Sequence, residues 1–483
     1  MINYEDDTAI EFLNLSYKKL EELNLKNKER RRDRTEENLK NLEKEYRKIL
    51  KEEQKIKAVI VAFSDLEGRF HTLDYDKKYL LECNDNLTFD GSSVKGFSKV
   101  NNSDLRLKLD WASFYFLPAD IFGEGKVMIF ADIYTQENKP HNSDFRGRLK
   151  EYIKILKTKD IEANIGTELE GFLVNGLDAE MNFKEENSFE LVSLGGYYHS
   201  LPKDKLKLFI DSTAEAQRAL GFENEKDHPE VAPSQFELNY KYTDPINASD
   251  QIQLYKLVAR QIAENMGCTA TFLPKPFMNI NGSGMHTNIS LSKKGKNLFY
   301  VGQKDSSISK FGQEFIDRVL SNANEICLVL NSSVNSYRRL DPRYEAPNQI
   351  KFSFSDRSSM IRIPAGNSDS TRIEVRSVAS DANPYLAIYT LLRIGLEGPK
   401  EVLVKKGKRQ RTRTLPDNIF DAIRVFKYSD IMTKILGEEA KNNYSQLKEK
   451  TADRAQKELG RYVKKSEVIF HHEITNQYLW NEY

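Results

Sequence analysis

The sequence is short of cysteine and tryptophan, with three cysteines (Cys83, Cys268, Cys327) and two tryptophans in 483 residues. Cysteines so few and so widely spaced fit neither a disulfide framework nor a cysteine-based zinc site, which favours the cytoplasm. No apolar run approaches the length of a membrane span, so no membrane partner is expected. Net charge is nearly absent: 73 basic against 72 acidic residues leave +1, and no overall field points to nucleic acid. The opening "MINYEDDTAI" is acidic and lacks the basic-then-apolar pattern of a signal peptide. There is no GxxxxGK[ST] loop, so any use of ATP proceeds without a P-loop, and no repeat of solenoid period. What remains is a chain with 39% apolar and 30% charged residues, long enough for two or three domains.

Three regions are expected. Residues 1–56 are a charged helical extension. Ile10, Leu13, Tyr17 and Leu20 recur at helical spacing behind a capping box of Thr8 and Glu11. Leu39, Leu42, Tyr46, Ile49 and Leu50 mark a second amphipathic helix. Between them "KNKERRRDR" has no apolar face and reads as a solvated connector. Residues 57–142 have the pattern of short strands and turns. From "DFRGRLKEYIKILK" onward, residues 143–483 mix helices and strands. "DQIQLYKLVARQIAENMG" is a strong helix, with Ile252, Tyr255, Val258, Ala259, Ile262 and Met266 along one side.

Several strands carry charge where an apolar face is expected. In "IGTELEGFLV", Glu168 and Glu170 are two residues apart, so both point the same way. "APSQFELNYKY" alternates, with Gln235, Glu237, Asn239 and Lys241 on one face, and Glu230 lies just upstream. "TRIEVRSV" puts Arg372, Glu374 and Arg376 together. "NGSGMHTNIS" sends His286, Asn288 and Ser290 one way, and Arg362 stands among apolar neighbours in "SSMIRIPAG". Either these are half-exposed strands whose polar faces meet water, or the faces converge on an enclosed cavity. In the second case carboxylates and one imidazole suit Mg²⁺ or Mn²⁺. Arginines beside them suit phosphate or carboxylate, the set that phosphoryl transfer requires. Spacing alone leaves both open.

Taken in order, "FDGSSVKGF", "GTELEGFLV", "GGYYHS", "HPEVAPSQFEL", "TFLPKPFMNINGSGMHTNIS", "NSYRRLDPRYEAP", "RSSMIRIPAG", "RIEVR" and "ANPYLA" resemble type I glutamine synthetase, over roughly residues 40 to 483. The resemblance implies an α+β fold: a small β-grasp domain, then a large catalytic domain with a curved antiparallel sheet of the glutamine synthetase/guanido kinase kind. It implies a homo-oligomer, usually a dodecamer of two stacked hexamers, with active sites between subunits. It implies ligation of ammonia to the γ-carboxylate of glutamate through γ-glutamyl phosphate, with ATP as substrate and two Mg²⁺ or Mn²⁺ ions. Carried onto this chain, Glu170, Glu230 and Glu237 would hold one ion, and Glu168, His286 and Glu374 the other. Arg339 and Arg376, with Asn281 and Gly282 nearby, would orient glutamate. Arg357, Arg362 and Arg372 would hold ATP phosphates, with Asn288 and Ser290 also on the nucleotide side. Asp90 from a neighbouring subunit would bind and help deprotonate ammonium, Tyr197 would shape its pocket, and Glu345 would ride on a closing flap.

The chain departs from the family pattern in places. Pro229 stands where a histidine is common, and Asn288 replaces a histidine near ATP. An amide hydrogen-bonds phosphate but carries no charge. Arg343 holds a position that is often glycine, which bears on flap geometry because arginine tolerates φ > 0 poorly. Asn101 and Asn102 sit where acidic residues often precede Ser-Asp. The adenylylation-loop tyrosine motif of some bacterial members is not seen. His228, His471 and His472 read as structural, and the basic run 405–413 as a solvated loop. Two alternatives stay open: a γ-glutamyl ligase using a polyamine or other amine, and an inactive structural or regulatory relative. Retained Asp90, Tyr197 and Glu345 speak for ammonia, and six filled metal positions speak against inactivity.

Overall fold

The structure, a computed structural model, describes residues 15–83, 86–98, 103–186, 189–199, 204–302, 308–400 and 412–463. The Thr8–Glu11 capping box, Ile10, Leu13, Asn101, Asn102, His471, His472 and the basic run up to residue 411 lie outside them. Two compact units result. One comprises the chain up to Asp65, Phe70–Asp144 and Asp211–Asn224, and the other Leu66–Arg69, Phe145–Ile210 and Glu225 onward.

In the first unit, β1 (Ala58–Ser64), β2 (Phe70–Asp76), β3 (Thr88–Asp90), β4 (Asp104–Leu109), β5 (Tyr115–Phe116) and β6 (Lys126–Tyr134) form a mixed sheet. Its order is β2–β1–β6–β4–β3, with β5 also on β6. The central β1–β6 pair is parallel and its flanks are antiparallel. Val59, Val61 and Phe63 alternate into one core with Val127, Ile129, Ala131 and Ile133. The helix Glu36–Glu52 closes that core with Leu42, Tyr46, Ile49 and Leu50, as their spacing predicts. Thr35 caps it by accepting from the Asn38 N–H, and the Tyr46 ring stacks on Phe114 at 4.3 Å.

The expected connector is instead helical. The helix Tyr17–Arg32 runs through "KNKERRR" and buries Leu20, Asn24, Asn27, Lys28 and Arg31. Its inward face is polar because it meets the backbone of β5 and the turn of chain ahead of Asn224. Asn24 donates to the carbonyls of Phe116 and Ala219, both at 2.8 Å, and accepts from the Phe116 N–H at 3.0 Å. Lys28 pairs with Glu223 at 2.9 Å, and the Arg31 guanidinium lies over Tyr115 at 4.3 Å.

In the second unit, β7 (Ile161–Asn175), β8 (Asn224–Pro229), β9 (Gln235–Tyr240), β10 (Cys268–Thr271), β11 (Met285–Lys293), β12 (Lys296–Asn297), β13 (Gln349–Ser353), β14 (Ser359–Arg362) and β15 (Ile373–Val375) form the larger sheet. The order is β13–β14–β15–β11–β7–β9–β8, with β10 on β7 and β12 on β11. It is antiparallel through its centre, and β13 joins β14 in parallel at one edge. Helix Pro245–Asn265 packs behind β7 and β10, capped by Asp244 with Pro245 in its first turn. Its predicted apolar side is buried from Ile252 to Ile262, and Met266 forms the C-cap. The bidentate Arg146–Asp250 pair, 2.9 Å on each arm, ties it to helix Phe145–Lys157 in full burial. Among the described residues no helix is long and apolar enough to cross a membrane, and all three cysteines are free.

Candidate active site

The polar strand faces are largely buried. Gln235, Glu237 and Asn239 are 1%, 5% and 8% exposed, as buried as the apolar face of β9. Register does the gathering. His286 on β11 lies opposite Glu168 on β7, and Glu170 lies opposite Glu237 on β9. Asn288 faces Glu374 on β15, which faces Arg362 on β14. Strand pairing thus carries carboxylate, imidazole and guanidinium groups from five strands onto one face.

Among the described residues two ligand-capable clusters result, each with its donor atoms within 4.8 Å of one another: Glu168, His286 and Glu374, and His228, Glu230 and Glu237. The first is the trio expected from the sequence. His286 Nδ1 is 3.5 Å from Glu168 Oε2 and 3.8 Å from Glu374 Oε1. The second brings His228 beside Glu230 and Glu237, two of the three carboxylates expected to act together. Glu170 lines the same cavity, with one oxygen accepting from the Gly284 N–H at 2.6 Å.

A cavity of about 280 Å³ opens on both clusters and is lined also by Tyr197, Asn281, Gly282, Glu345, Arg339, Arg357, Arg362, Arg372 and Arg376. A second cavity of about 390 Å³ shares Glu168, Asn239 and Arg372 with it and reaches Asn288, Ser290, Tyr242 and Asp369. Burial pushes most of these carboxyls up: Glu170 to about 7, against the pull of Arg339, and Glu230 to about 8 with Glu170 adding repulsion, while Glu168 falls to about 2 despite its burial, through hydrogen bonds with His286 and Asn288. Glu237 rises well above the usual range through burial and the surrounding Glu170, Glu168 and Glu230. Burial holds the His286 ring near 3, and so neutral. Acidic groups that resist ionising together are the donor set that a divalent cation satisfies.

The arginines differ in how far they are committed. Arg362 and Arg376 donate to opposite oxygens of Glu374 at 2.7 and 2.5 Å. Arg339 Nη2 donates to the Arg376 carbonyl at 3.1 Å and lies 3.3 Å from His286 Nε2. Yet Arg339 Nη1 and Arg376 Nε are buried with no hydrogen-bond partner among the described residues. Buried guanidinium N–H groups left this way suit an anionic ligand. Gly284 permits the packing: a Cβ there would lie 2.3 Å from Arg339 Nη2 and 2.8 Å from His286 Nε2. Asn288 bridges the cavities, donating to Glu168 Oε1 at 3.0 Å and accepting from Arg372 Nε at 2.9 Å.

Glu345 follows the 3₁₀ turn Pro342–Tyr344 and is itself left-handed, with φ 60°. Its carboxylate meets Arg357 at 3.3 Å and the Asn281 amide at 3.5 Å. Arg343 needs no positive φ here, so the loss of a glycine at that position is tolerated. Its side chain pairs with Asp341 at 2.8 Å. Tyr197 donates to the Tyr198 hydroxyl at 2.8 Å, and both rings stand edge-on to His228. Asp90 belongs to the other unit. It caps the turn Gly91–Ser93, accepting from Ser92 and Ser93, and these bonds hold its carboxyl below the usual range.

Fold and site together define an α+β enzyme class, in which a curled sheet presents paired cation-type clusters and arginines to one cavity. Known proteins are consistent with this. The family pattern "Glutamine synthetase, beta-Grasp domain" matches residues 55–136, and "Glutamine synthetase, catalytic domain" matches residues 142–464. Glutamine synthetase of Methanosarcina mazei is 36% identical over 412 residues, covering 82% of this chain and 91% of that protein. The Staphylococcus aureus protein of the same name is 34% identical over 410 residues, covering 81% and 91%. Among solved structures, Plasmodium falciparum glutamine synthetase superposes with a TM-score of 0.76 at 21% identity, covering 89% of this chain and 98% of that one. A structure described as "GmaS/ADP complex-Conformation 1" gives 0.73 at 25% identity, covering 85% and 96%. The chain belongs to the glutamine synthetase family, the ATP-dependent glutamate–ammonia ligases.

Proposed function

We propose that the cavity of the second unit is where this chain joins ammonia to the γ-carboxylate of glutamate, the family reaction, at the expense of ATP. What supports the placement is one observation: unpartnered buried guanidinium N–H groups of Arg339 and Arg376 lie beside two clusters of carboxylates and imidazole. Arg339 and Arg376 would take the substrate's carboxylate, with the Asn281–Gly282 backbone as the near wall. Arg357, Arg362 and Arg372, with Asn288 and Ser290, would line the nucleotide side. A γ-carboxylate oxygen attacks the terminal phosphorus of ATP and ADP leaves. The nitrogen of ammonia then attacks the acyl carbon and phosphate leaves.

Glu168, His286 and Glu374, and the Glu230–Glu237 group with Glu170 beside it, would hold Mg²⁺ or Mn²⁺, which neutralise phosphate charge and polarise the transferred group. Ammonia must shed a proton before it attacks. Glu345, tied to Arg357, and Tyr197 would form its pocket, and Asp90 of a neighbouring subunit would supply a further negative charge. A cytoplasmic dodecamer, with the small domain of one subunit completing the site of the next, accompanies this assignment. Residues 1–56, 57–142 and 143–483 are proposed as extension, β-grasp domain and catalytic domain.

Steady-state product formation with ammonium, putrescine and ethanolamine tests the assignment. Ammonium is expected to give the fastest turnover. Faster glutamylation of either amine would replace ammonia as acceptor, and no phosphate release with any of them would leave an inactive relative.

A further inference from the structure

We infer that Lys275 is a positioning residue for this reaction: its ammonium braces the turn that carries Glu345 against the loop that carries Asn281 and Gly282. The inference rests on the family reaction proposed above. Tyr344, Glu345, Asn281 and Gly282 line the cavity and Lys275 does not, so it acts through them rather than on substrate.

Lys275 is buried where three segments meet. One side chain holds its backbone on both sides: its N–H donates to Asn335 Oδ1 at 2.6 Å, and its carbonyl accepts from Asn335 Nδ2 at 3.0 Å. Asn335 belongs to the short helix Val334–Arg339, which ends in Arg339. The stem of Lys275 then runs beside Gly282, where a Cβ would come within 3.4 Å of its Cδ. The ammonium donates to the Ile280 carbonyl and lies 3.9 Å from the centre of the Tyr344 ring. A cation over an aromatic face is attracted by the ring's negative centre, more strongly once water is removed. Burial lowers the Lys275 pKa to about 8, with Asp341 opposing, so the group stays charged at neutral pH. Loop and turn meet at two further points. The Tyr344 hydroxyl donates to Asn279 Oδ1 at 3.4 Å, and the Asn281 amide reaches Glu345 at 3.5 Å. Both contacts are long, which leaves the ammonium on the ring as the main tie among the described residues. Glu345 needs such a tie, because its φ of 60° is left-handed and persists in a glutamate only where neighbours impose it. The turn itself supplies two bonds, from the Tyr344 N–H to the Asp341 carbonyl at 3.0 Å and from the Glu345 N–H to the Pro342 carbonyl at 3.3 Å. The brace adds to them and keeps Glu345 at the wall of the ammonia pocket, where it excludes water. Water reaching the acyl carbon would displace phosphate and return glutamate, so that ATP is consumed without product.

Lys275→Met removes the ammonium but keeps the stem and the backbone pair with Asn335, and Lys275→Arg keeps the charge. Two measurements on the full chain test the brace. Without substrates, hydrogen exchange of the Tyr344 and Glu345 amides is expected to speed up at least about fivefold in Lys275→Met and to stay near wild type in Lys275→Arg. With substrates, phosphate released per glutamine formed is expected to rise from about one to about two or more in Lys275→Met. Its KM for ammonium is expected to rise about tenfold while the KM for ATP changes less than about twofold, and Lys275→Arg restores both. Unchanged exchange in Lys275→Met overturns the brace. Faster exchange with an unaltered phosphate ratio and ammonium KM, or with equal losses for all substrates, overturns the positioning role. If the wild-type chain forms no glutamine while Lys275→Met exchanges faster, the proposed reaction falls and the brace stands. Should Lys275→Met fail to fold, Tyr344→Leu removes the ring from the other end of the contact and is expected to give the same exchange and the same ratio.

Discussion

Arg339 carries the tightest set of constraints of any residue in the cavity. It is buried, and burial lowers its pKa to about 10, which leaves it charged at neutral pH. One nitrogen is used by the Arg376 carbonyl and His286, while Nη1 has no partner among the described residues. A lysine keeps the charge but loses the planar fork that meets a carboxylate on two points. Arg339→Lys is therefore expected to raise the KM for glutamate by about 10- to 100-fold, the worth of one charge-assisted bond, with little change in the KM for ATP. Equal loss for both substrates would place Arg339 elsewhere in the chemistry. Asp90 shows a different economy. Three donors from its own turn hold its carboxyl low, so it is a weak proton acceptor. If it meets ammonium, it acts more by charge than by taking the proton.

At the scale of elements, the helix Tyr17–Arg32 is the informative case. Its inner face works by hydrogen bonds, and Asn24 bonds the Phe116 N–H and the carbonyls of Phe116 and Ala219. Asn24→Leu keeps the size and removes three side-chain-to-backbone hydrogen bonds, so a loss of about 3 kcal/mol is expected from urea unfolding followed by circular dichroism. A loss under about 0.5 kcal/mol would mean water takes over those bonds. The same helix shows why sequence patterning failed there: periodicity is read from apolar residues, and Asn24, Asn27, Lys28 and Arg31 offer none. Patterning succeeded for Glu36–Glu52 and Pro245–Asn265, whose apolar stripes are both buried. The site was legible to the extent that it follows strand parity. Glu168 with Glu170, and Gln235 with Glu237 and Asn239, share faces by alternation alone, and that these faces are buried came only with the structure. The pairing of His228 with Glu237 depends on how the turn after β8 returns into β9, which no single segment encodes.

For the whole molecule, the cost of the acidic cavity falls on folding. Glu170 and Glu230 have folded-state pKa values raised to about 7 and about 8, against the ordinary 4.5 of a carboxyl in the unfolded chain. Between about pH 4.5 and 8 the folded state therefore binds more protons than the unfolded one. Their contribution to stability is complete below pH 4.5 and is lost as pH rises through 7 and 8. The metal-free protein should thus lose thermal stability from pH 6 to pH 8.5, on top of the slope set by its other groups. A divalent ion reverses the sign at these positions, since it binds the ionised carboxylates and displaces their protons. The rise in Tm on adding saturating Mn²⁺ is expected to be small at pH 6 and to grow by several degrees by pH 8, and a chelator should abolish it. Differential scanning calorimetry at matched ionic strength, with and without Mn²⁺, measures both curves. A shift in Tm of the same size at every pH would mean that the ion binds away from the raised carboxyls, and the placement of the cations in this cavity would have to be abandoned.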